Sequence, residues 1–238
     1  MLAEEAGKLL VELRAERADQ VSSPKALGHE GDAAAHELLM QRLGDLRPDD
    51  AVLSEEGRDS DARLRVRRVW IVDPLDGTRE FGEVPRTDWA VHVALAIDGQ
   101  ALVGAVALPA RDMVLASEPA PALPPPWTGP VRVVVSRSRP PAEAERIAQE
   151  LGGQLLPLGS AGAKAMAVVL GEAEVYAHSG GQYEWDSAAP VAVAKAAGLH
   201  VSRLDGSPLV YNQPDPYLPD LLICRPEIAS AVIDAAHP

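Results

Sequence analysis

Apolar positions recur along the chain either with the period of a helix or with that of a strand, and each change of period marks a boundary between predicted elements. Near the N terminus, Leu9 and Leu13 fall on one side of a helix. A polar break, QVSSPKALGHEGD, follows and separates this helix from a second one, AAAHELLMQRLGDL, in which Leu39 and Leu43 share a side. The pattern therefore predicts two N-terminal helices, the second beginning just after Asp32.

The next segments have the pattern of strands. AVLSEE and RRVWIV predict two strands, and RDMVLAS predicts another. Between them, DWAVHVALAIDGQALVGAVALPA predicts a hairpin that turns on Asp98 and Gly99, because Asp-Gly favours a two-residue turn. The proline-dense stretch SEPAPALPPPWTGP cannot continue a helix or a central strand. We expect it to connect two subdomains, residues 1–128 and residues 129–238, that together form one catalytic unit.

Strands and helices alternate in the second half. VRVVVS, AEVYAH and LLIC predict strands, whereas PPAEAERIAQELGG, GSAGAKAMAVVLGEA and DSAAPVAVAKAAGLH predict helices. Gly198 follows the last of these as a C-cap, and a short helix ends the chain. This alternation is typical of a layered α/β or α+β fold.

The amino-acid composition excludes several classes of function for this chain. The 238 residues are 47% hydrophobic, enough for a substantial core. A net charge of −13 argues against a duplex nucleic-acid binder, which would present a basic surface. Cys224 is the only cysteine, so an intrachain disulfide and a cysteine-rich zinc site are excluded. The sequence has no apolar run long enough to cross a membrane and no secretory signal, so we expect a soluble cytoplasmic protein without membrane insertion.

Carboxylates stand at four places where a predicted element begins or ends: Asp32, Glu55 with Glu56, Asp73 with Asp76, and Asp186. Singly, each has an ordinary explanation as a helix cap, a turn residue or a solvated charge. If they converge, two of them about 4 Å apart repel by roughly 4 kcal/mol at an effective dielectric near 20. Either some of the acids are protonated or a cation relieves this repulsion, and Mg²⁺ prefers oxygen ligands. Gly77 and Thr78 add phosphate-binding donors at the same turn.

Three motifs in this order carry a family resemblance: SEE, WIVDPLDGT and WDSAA. The chain resembles the inositol monophosphatase-like superfamily of magnesium-dependent, lithium-sensitive phosphatases. Within it, DPLDGTREF, GSAGAKAMAV and GGQYEWDSAAP are most similar to CysQ-type 3'(2'),5'-bisphosphate nucleotidases, particularly actinobacterial ones. The resemblance implies the superfamily's layered α-β-α-β-α fold with two subdomains.

The resemblance also implies a metal centre of two or three Mg²⁺ ions that Li⁺ inhibits. Glu55, Asp73 and the backbone carbonyl of Leu75 would hold the first ion. Asp73 would bridge to a second ion, which Asp76 and Asp186 complete.

The catalytic roles implied by the resemblance fall on neighbouring residues. Thr78, oriented by Asp32, would help Glu55 to position and deprotonate the attacking water. The backbone donors of Gly77 and Thr78 would hold the phosphate. The family's usual lysine and D-x-V-T-x-A-D pattern before the orienting acid is replaced by KALGHEGDAAA, so Glu30 is the alternative to Asp32.

The implied substrate is 3'-phosphoadenosine 5'-phosphate, hydrolysed to AMP and phosphate in sulfate assimilation by a monomer or homodimer. Its second phosphate needs a polar or cationic site, for which the candidates are Arg79, Ser136, Arg137, Ser138, Ser160 and Lys164. Arg79 and Arg137 can equally be exposed, solvated charges, whereas Lys164 is expected to face a pocket. Tyr183, with His178 and Trp185, is a candidate for the base pocket, and His92 in its alternating strand is interpreted as structural.

Other functions remain open on the sequence. Inositol 1-phosphate or fructose 1,6-bisphosphate are alternative substrates of the same chemistry. A non-catalytic nucleotide- or metal-binding module would normally lack one of the acids, and none is missing. A glycosidase also uses paired carboxylates, but the chain is only 4% aromatic and has few rings to stack on a sugar.

Overall fold

The computed structural model describes residues 1–237, which form seven α-helices and ten strands. The helices are α1 (Leu2–Arg17), α2 (Pro24–Leu46), α3 (Thr78–Gly82), α4 (Ala142–Glu150), α5 (Ala161–Val169), α6 (Glu184–Ala196) and α7 (Ala229–Ala236). The strands are β1 (Ala51–Ser54), β2 (Arg68–Asp76), β3 (Ala90–Ile97), β4 (Gln100–Leu108), β5 (Met113–Ala116), β6 (Arg132–Ser136), β7 (Gln154–Leu158), β8 (Val175–Tyr183), β9 (His200–Ser202) and β10 (Tyr217–Cys224).

The strands form two mixed sheets. The first has the order β1-β2-β3-β4-β5, with β1 parallel to β2 and the other pairs antiparallel. The second has the order β7-β6-β8-β10-β9, with β6 parallel to both its neighbours. The predicted hairpin is confirmed, because Asp98 and Gly99 alone connect β3 to β4, with φ angles of 49° and 77°. Two positive φ values in a two-residue loop match the twist of the strands.

Helices cover both faces of each sheet, so the layers run α-β-α-β-α. In β2, Val72 packs in the cluster formed with α1 and α2, whereas Ile71 packs in the cluster formed with α5 and α6. In β6, Val134 faces α5 and α6, and Val133 packs with α4 and α7. Alternate residues of a strand point to opposite faces, which explains the two apolar faces of each strand. The predicted layered α+β fold is confirmed.

Small residues bring the middle layer close to the first sheet. A Cβ atom on Gly104 of β4 would lie 2.7 Å from the carbonyl oxygen of Ala189 and 2.8 Å from the Cβ atom of Ala192, both in α6. Glycine is therefore required where α6 crosses β4. Core residues of both chain halves meet in this layer. The proline-dense segment lies between β5 and β6 and connects the two sheets, and the division at residue 128 stays a prediction.

The start of α2 differs from the prediction. The helix begins at Pro24, which takes the first helical position, and the Ser23 hydroxyl accepts a hydrogen bond from the Ala26 backbone N–H at 3.2 Å. The polar break is thus helical from Pro24 onward, the predicted start just after Asp32 is wrong, and Asp32 is not a helix cap. Gly28 explains why: a Cβ there would lie 2.6 Å from the Thr78 carbonyl oxygen, so the polar-looking segment is a packed helix.

Three short elements were not predicted, and the start of a second helix also differs from the prediction. Helix α3 has five residues and β9 has three, too few to show a period, and β7 is an edge strand that contains Pro157. Helix α6 begins at Glu184, so Asp186 lies in its first turn rather than before it. The predicted C-cap is confirmed, since Gly198 follows α6 with a φ angle of 90°. Within residues 1–237, none of the helices has the length and apolarity needed to span a bilayer.

Candidate active site

Three carboxylates meet between the first sheet and α6. Asp73 and Asp76 lie at the end of β2, and Asp186 lies in the first turn of α6. Oxygen atoms of the three side chains all lie within 4.8 Å of one another. Asp73 and Asp76 are 1% and 6% exposed, so solvent screens their charges poorly. The structure therefore brings together three acids that are 113 positions apart at most, counted from Asp73 to Asp186.

Strand pairing explains how Asp73, Asp76 and Glu55 come together. In a regular strand, residues three apart point to opposite faces, but the pairing of β2 with β3 is interrupted between Asp73 and Asp76. Strand β1 runs parallel to β2, and the Glu55 N–H donates to the carbonyl oxygen of Val72 at 3.3 Å. Glu55 therefore leaves β1 beside Asp73, and its side chain is exposed.

The start of α5 and a buried histidine hold Asp76. Its Oδ1 accepts a hydrogen bond from the Ala161 N–H at 3.1 Å, and its Oδ2 accepts one from the Gly162 N–H at 2.6 Å. His92 is fully buried, with Nε2 3.2 Å from Asp76 Oδ2 and Nδ1 3.1 Å from the carbonyl oxygen of Trp185. Sequence reasoning interpreted His92 as structural, and the structure shows that its ring also lies against this carboxylate.

The pKa values of the cluster reflect crowded negative charge. Burial, followed by the charges of Glu55 and Asp76, raises the pKa of Asp73 well above its ordinary value. Burial and the charge of Asp76 raise the pKa of Asp186 to about 7. Burial would also raise the pKa of Asp76, but His92 and the donors of α5 outweigh it and leave that pKa below its ordinary value. Asp76 is thus the most acidic carboxyl of the three.

These residues fit a divalent cation. Asp73 Oδ2 is buried and accepts no hydrogen bond from any residue of the described chain, and the same holds for Asp32 Oδ1. Buried polar atoms without a partner are costly, and a cation satisfies carboxylate oxygens directly. The donor set consists of oxygen atoms alone, as hard cations prefer. Asp73, Asp76 and Asp186 would hold the ion, with Glu55 beside them.

Thr78 lies next to this cluster, on α2's side of the site. Its hydroxyl donates to the carbonyl oxygen of Leu75 at 3.1 Å and lies 3.5 Å from Asp32 Oδ2. The alternative acid, Glu30, forms an ion pair with Arg17 at 2.7 Å instead. The geometry therefore favours Asp32 over Glu30 as the partner of the threonine.

A cavity of about 670 Å³ opens beside the threonine. Its walls include Asp32, Glu55 and Thr78, together with Lys25 and His29 from the start of α2. Burial and the charges of Glu56 and Glu55 raise the pKa of Asp32 to about 8. Sequence reasoning missed Lys25 and His29 because it placed them in a break. Their spacing of four residues would have indicated a shared helix face.

Arg79 and Arg137 differ in their position relative to this cavity. Arg79 lines the cavity and forms an ion pair with Glu83 at 2.9 Å. Arg137 does not line it and instead binds Glu80 at 2.6 Å and Glu83 at 2.7 Å. Of these two predicted substrate-binding residues, only Arg79 faces the space beside Thr78.

The remaining polar candidates also lie away from the cavity. Ser160 caps α5, its hydroxyl accepting from the Ala163 N–H at 2.9 Å. Lys164 is 4% exposed, donates to the Ser160 carbonyl oxygen at 2.7 Å and does not line this cavity, so its pocket-facing role stays a prediction. The Ser136 hydroxyl accepts a hydrogen bond from the Arg139 N–H at 3.3 Å. Each of these three groups has a structural partner within the fold.

Aromatic rings surround the start of α6. Tyr183 stacks on Trp185 with ring centroids 4.9 Å apart and planes 9° apart, and Tyr217 meets Tyr183 edge-on at 5.8 Å. The Tyr183 N–H donates to Asp186 Oδ2 at 2.7 Å, which links the rings to the acidic cluster. Tyr183 is 41% exposed, so one aromatic surface is open to solvent near Asp186.

Comparison with known proteins agrees with this geometry. The model of the inositol monophosphatase family matches residues 1–121 and 128–236. The chain belongs to the inositol monophosphatase family. A Mycobacterium tuberculosis relative named 3'-phosphoadenosine 5'-phosphate phosphatase is 55% identical over 242 residues, covering 97% of this chain and 89% of the relative. The Escherichia coli K12 3'(2'),5'-bisphosphate nucleotidase CysQ is 36% identical over 204 residues, covering 79% of this chain and 80% of its own.

A solved member of the inositol monophosphatase family shares the fold. Inositol monophosphatase II from Staphylococcus aureus MSSA476 aligns with a TM-score of 0.81 over 100% of this chain and 93% of its own, at 22% identity. At that identity the likeness concerns the arrangement of layers alone. The layered α+β fold is thus the family's fold.

In the absence of divalent cations, the free energy of unfolding is expected to decrease as the pH rises from about 4 to about 8. Asp186 and Asp32, with pKa values of about 7 and about 8, keep protons that the unfolded chain has already lost above 3.8. Because the folded state then binds more protons, its free energy of unfolding decreases with pH. Thermal unfolding midpoints between pH 5 and pH 8 in EDTA should show this slope, and saturating Mg²⁺ should flatten it. Parallel curves with and without Mg²⁺ would contradict the assignment.

Proposed function

We propose that this protein is a Mg²⁺-dependent phosphatase that converts 3'-phosphoadenosine 5'-phosphate to AMP and phosphate. One observation carries the proposal: the cluster of buried Asp73, buried Asp76 and partly buried Asp186 lies next to Glu55, which lines a cavity large enough for a nucleotide. The names of the mycobacterial and E. coli relatives support this substrate class. Its cytoplasmic location and a link to sulfate assimilation belong to the same proposal.

The proposed chemistry divides between cations and side chains. Two or three Mg²⁺ ions would stabilise the charge that develops on the phosphoryl group and on the leaving alkoxide. Glu55, exposed at the edge of the cluster, would accept the proton of the attacking water. Thr78 would orient that water, and its own orientation comes from the Leu75 carbonyl group and Asp32. The N–H groups of Gly77 and Thr78 would hold the phosphate.

The adenine base has a candidate surface at the start of α6. Tyr183, whose ring stacks on Trp185, lies three residues before Asp186, and its backbone N–H donates a hydrogen bond to that carboxylate. Aromatic rings stack with bases regardless of hydrogen-bond pattern, at roughly 1–3 kcal/mol per base. We propose that Tyr183 contributes to base binding, with Trp185 keeping its ring in place.

A substrate panel tests the proposal. With Mg²⁺ in excess, phosphate release from the purified protein should be fastest from 3'-phosphoadenosine 5'-phosphate and slower from fructose 1,6-bisphosphate and inositol 1-phosphate. It should be absent in EDTA and reduced by Li⁺. Dominance of inositol 1-phosphate would overturn the substrate, and activity in EDTA would overturn the metal chemistry. Tight nucleotide binding without release would indicate a non-catalytic module.

A further inference from the structure

One face of α2 lines the cavity over two helical turns. Lys25, His29 and Asp32 stand at positions i, i+4 and i+7, which share a side of an α-helix. With a rise of 1.5 Å per residue, Lys25 lies about 10 Å along the helix axis from Asp32. Asp32 approaches Thr78. The cavity is therefore acidic beside Thr78 and basic about 10 Å away.

One of the basic side chains that line the cavity has no ion-pair partner within residues 1–237. Arg79 is paired with Glu83, which also binds Arg137. Lys25, by contrast, is exposed, and its ammonium group forms neither an ion pair nor a hydrogen bond with residues 1–237. Glu56 also lines the cavity, so an anion entering it meets repulsion unless a cation faces it. Lys25 is the residue placed to supply that cation.

We propose that Lys25 and His29 bind the phosphate of the substrate that is not hydrolysed. This inference rests on the proposed function and deepens it. An ammonium group and a phosphate form charge-assisted hydrogen bonds, which are shorter and stronger than neutral ones. The His29 ring has an N–H donor in either tautomer. The two side chains belong to the N-terminal turns of a 23-residue helix, where the dipole also favours an anion.

The inference accounts for selectivity between phosphate esters. A substrate with a second phosphate gains the contact with Lys25, whereas a monophosphate leaves the ammonium group solvated and gains nothing there. Because the contact is made by a part of the substrate that does not react, it strengthens binding and the transition state alike. Its loss should raise KM more than it lowers kcat.

Paired substrates test this assignment directly. The kcat/KM values of Lys25→Met and His29→Gln are measured for 3'-phosphoadenosine 5'-phosphate and for adenosine 3'-phosphate, which lacks the second phosphate. For Lys25→Met the loss on the bisphosphate should exceed the loss on the monophosphate about tenfold, as one charge-assisted contact predicts. His29→Gln should give a smaller excess of about threefold. Lys25→Arg should retain most of the preference.

Lys8→Met is the matched control. Lys8 is an exposed lysine of α1, paired with Glu4 at 2.8 Å and absent from the cavity wall. Its replacement should leave the ratio of the two kcat/KM values as in the wild type. Raising the salt concentration should erode the wild-type preference and change that of Lys25→Met much less.

The outcomes separate the inference from the function on which it rests. Equal losses on both substrates, or no loss on either, would overturn the role of Lys25 and His29 while leaving the phosphatase proposal standing. A wild-type protein that releases phosphate from neither nucleotide would overturn the proposed function and this inference together. Thermal unfolding of each variant shows whether it is folded, which we expect because Lys25 and His29 are exposed.

Discussion

Replacement of Asp76 by asparagine is expected to lower Mg²⁺-dependent phosphate release roughly 10³-fold while the chain stays folded. The substitution would keep the shape of the side chain but remove the charge from the most acidic carboxyl group of the cluster. The new amide would also present an N–H group at a position where Ala161 and Gly162 already donate. Both the affinity for a cation and the orientation of the cluster should suffer.

Stability should change much less than activity. Loss of a hydrogen-bonded carboxylate costs about 2 kcal/mol, but removal of one charge relieves repulsion with Asp73 and Asp186. Initial rates and unfolding in EDTA, measured on Asp76→Asn and on the exposed control Asp45→Asn, distinguish the two effects. The control should behave as the wild type. Retention of most of the rate by Asp76→Asn would exclude it as a cation ligand.

Gly162→Ala is expected to destabilise the protein by about 3 kcal/mol, near the upper end for an overpacked core. The added Cβ atom would lie 2.2 Å from His92 Nε2, 2.9 Å from the Cβ atom of Ala90 and 3.1 Å from Asp76 Oδ2. His92 cannot move aside easily, since it is fully buried and its other nitrogen lies 3.1 Å from the carbonyl oxygen of Trp185. The unfolding midpoint should drop by roughly 10 °C.

The same substitution at Gly44, Gly44→Ala, is expected to stabilise the protein rather than destabilise it. Gly44 lies in α2, and a Cβ there would meet nothing within 4 Å. Alanine should therefore raise the free energy of unfolding by about 0.5–1 kcal/mol through helix propensity. Calorimetry on both variants, with and without Mg²⁺, checks the pair. Equal midpoints for the two variants would show that the contact between α5 and His92 is not as tight as the structure has it.

The sequence predicts the features of this fold that depend on local order. The Asp-Gly turn of the first hairpin, the alternation of elements in the second half and the acids at the end of β2 are all visible within short segments. Asp73, Asp76 and Asp186 could be grouped because they end or begin elements, and layered folds collect such positions at one edge of a sheet.

Features that depend on distant contacts could not be predicted in this way. The segment before Asp32 contains glycines that usually weaken a helix, and only its packing on Thr78 shows why Gly28 is needed. The interruption of pairing in β2 that joins Asp73 and Asp76 coincides with Pro74, but the proline alone does not show which side chains the interruption brings together. The contact of His92 with Asp76 is made across the pairing of β2 with β3, and periodicity within one segment does not show which residues of two strands face each other.

The contact of Gly104 in β4 with Ala189 and Ala192 in α6 affects the geometry of the acidic cluster, although these three residues are not part of it. Asp186 belongs to α6, whose distance from the first sheet is set where Ala189 lies against Gly104. A bulkier side chain at that crossing would push α6 away from the first sheet and increase the distance between Asp186 and the two acids of β2. The affinity of this protein for a cation thus depends on the spacing between α6 and the first sheet as well as on the acids themselves.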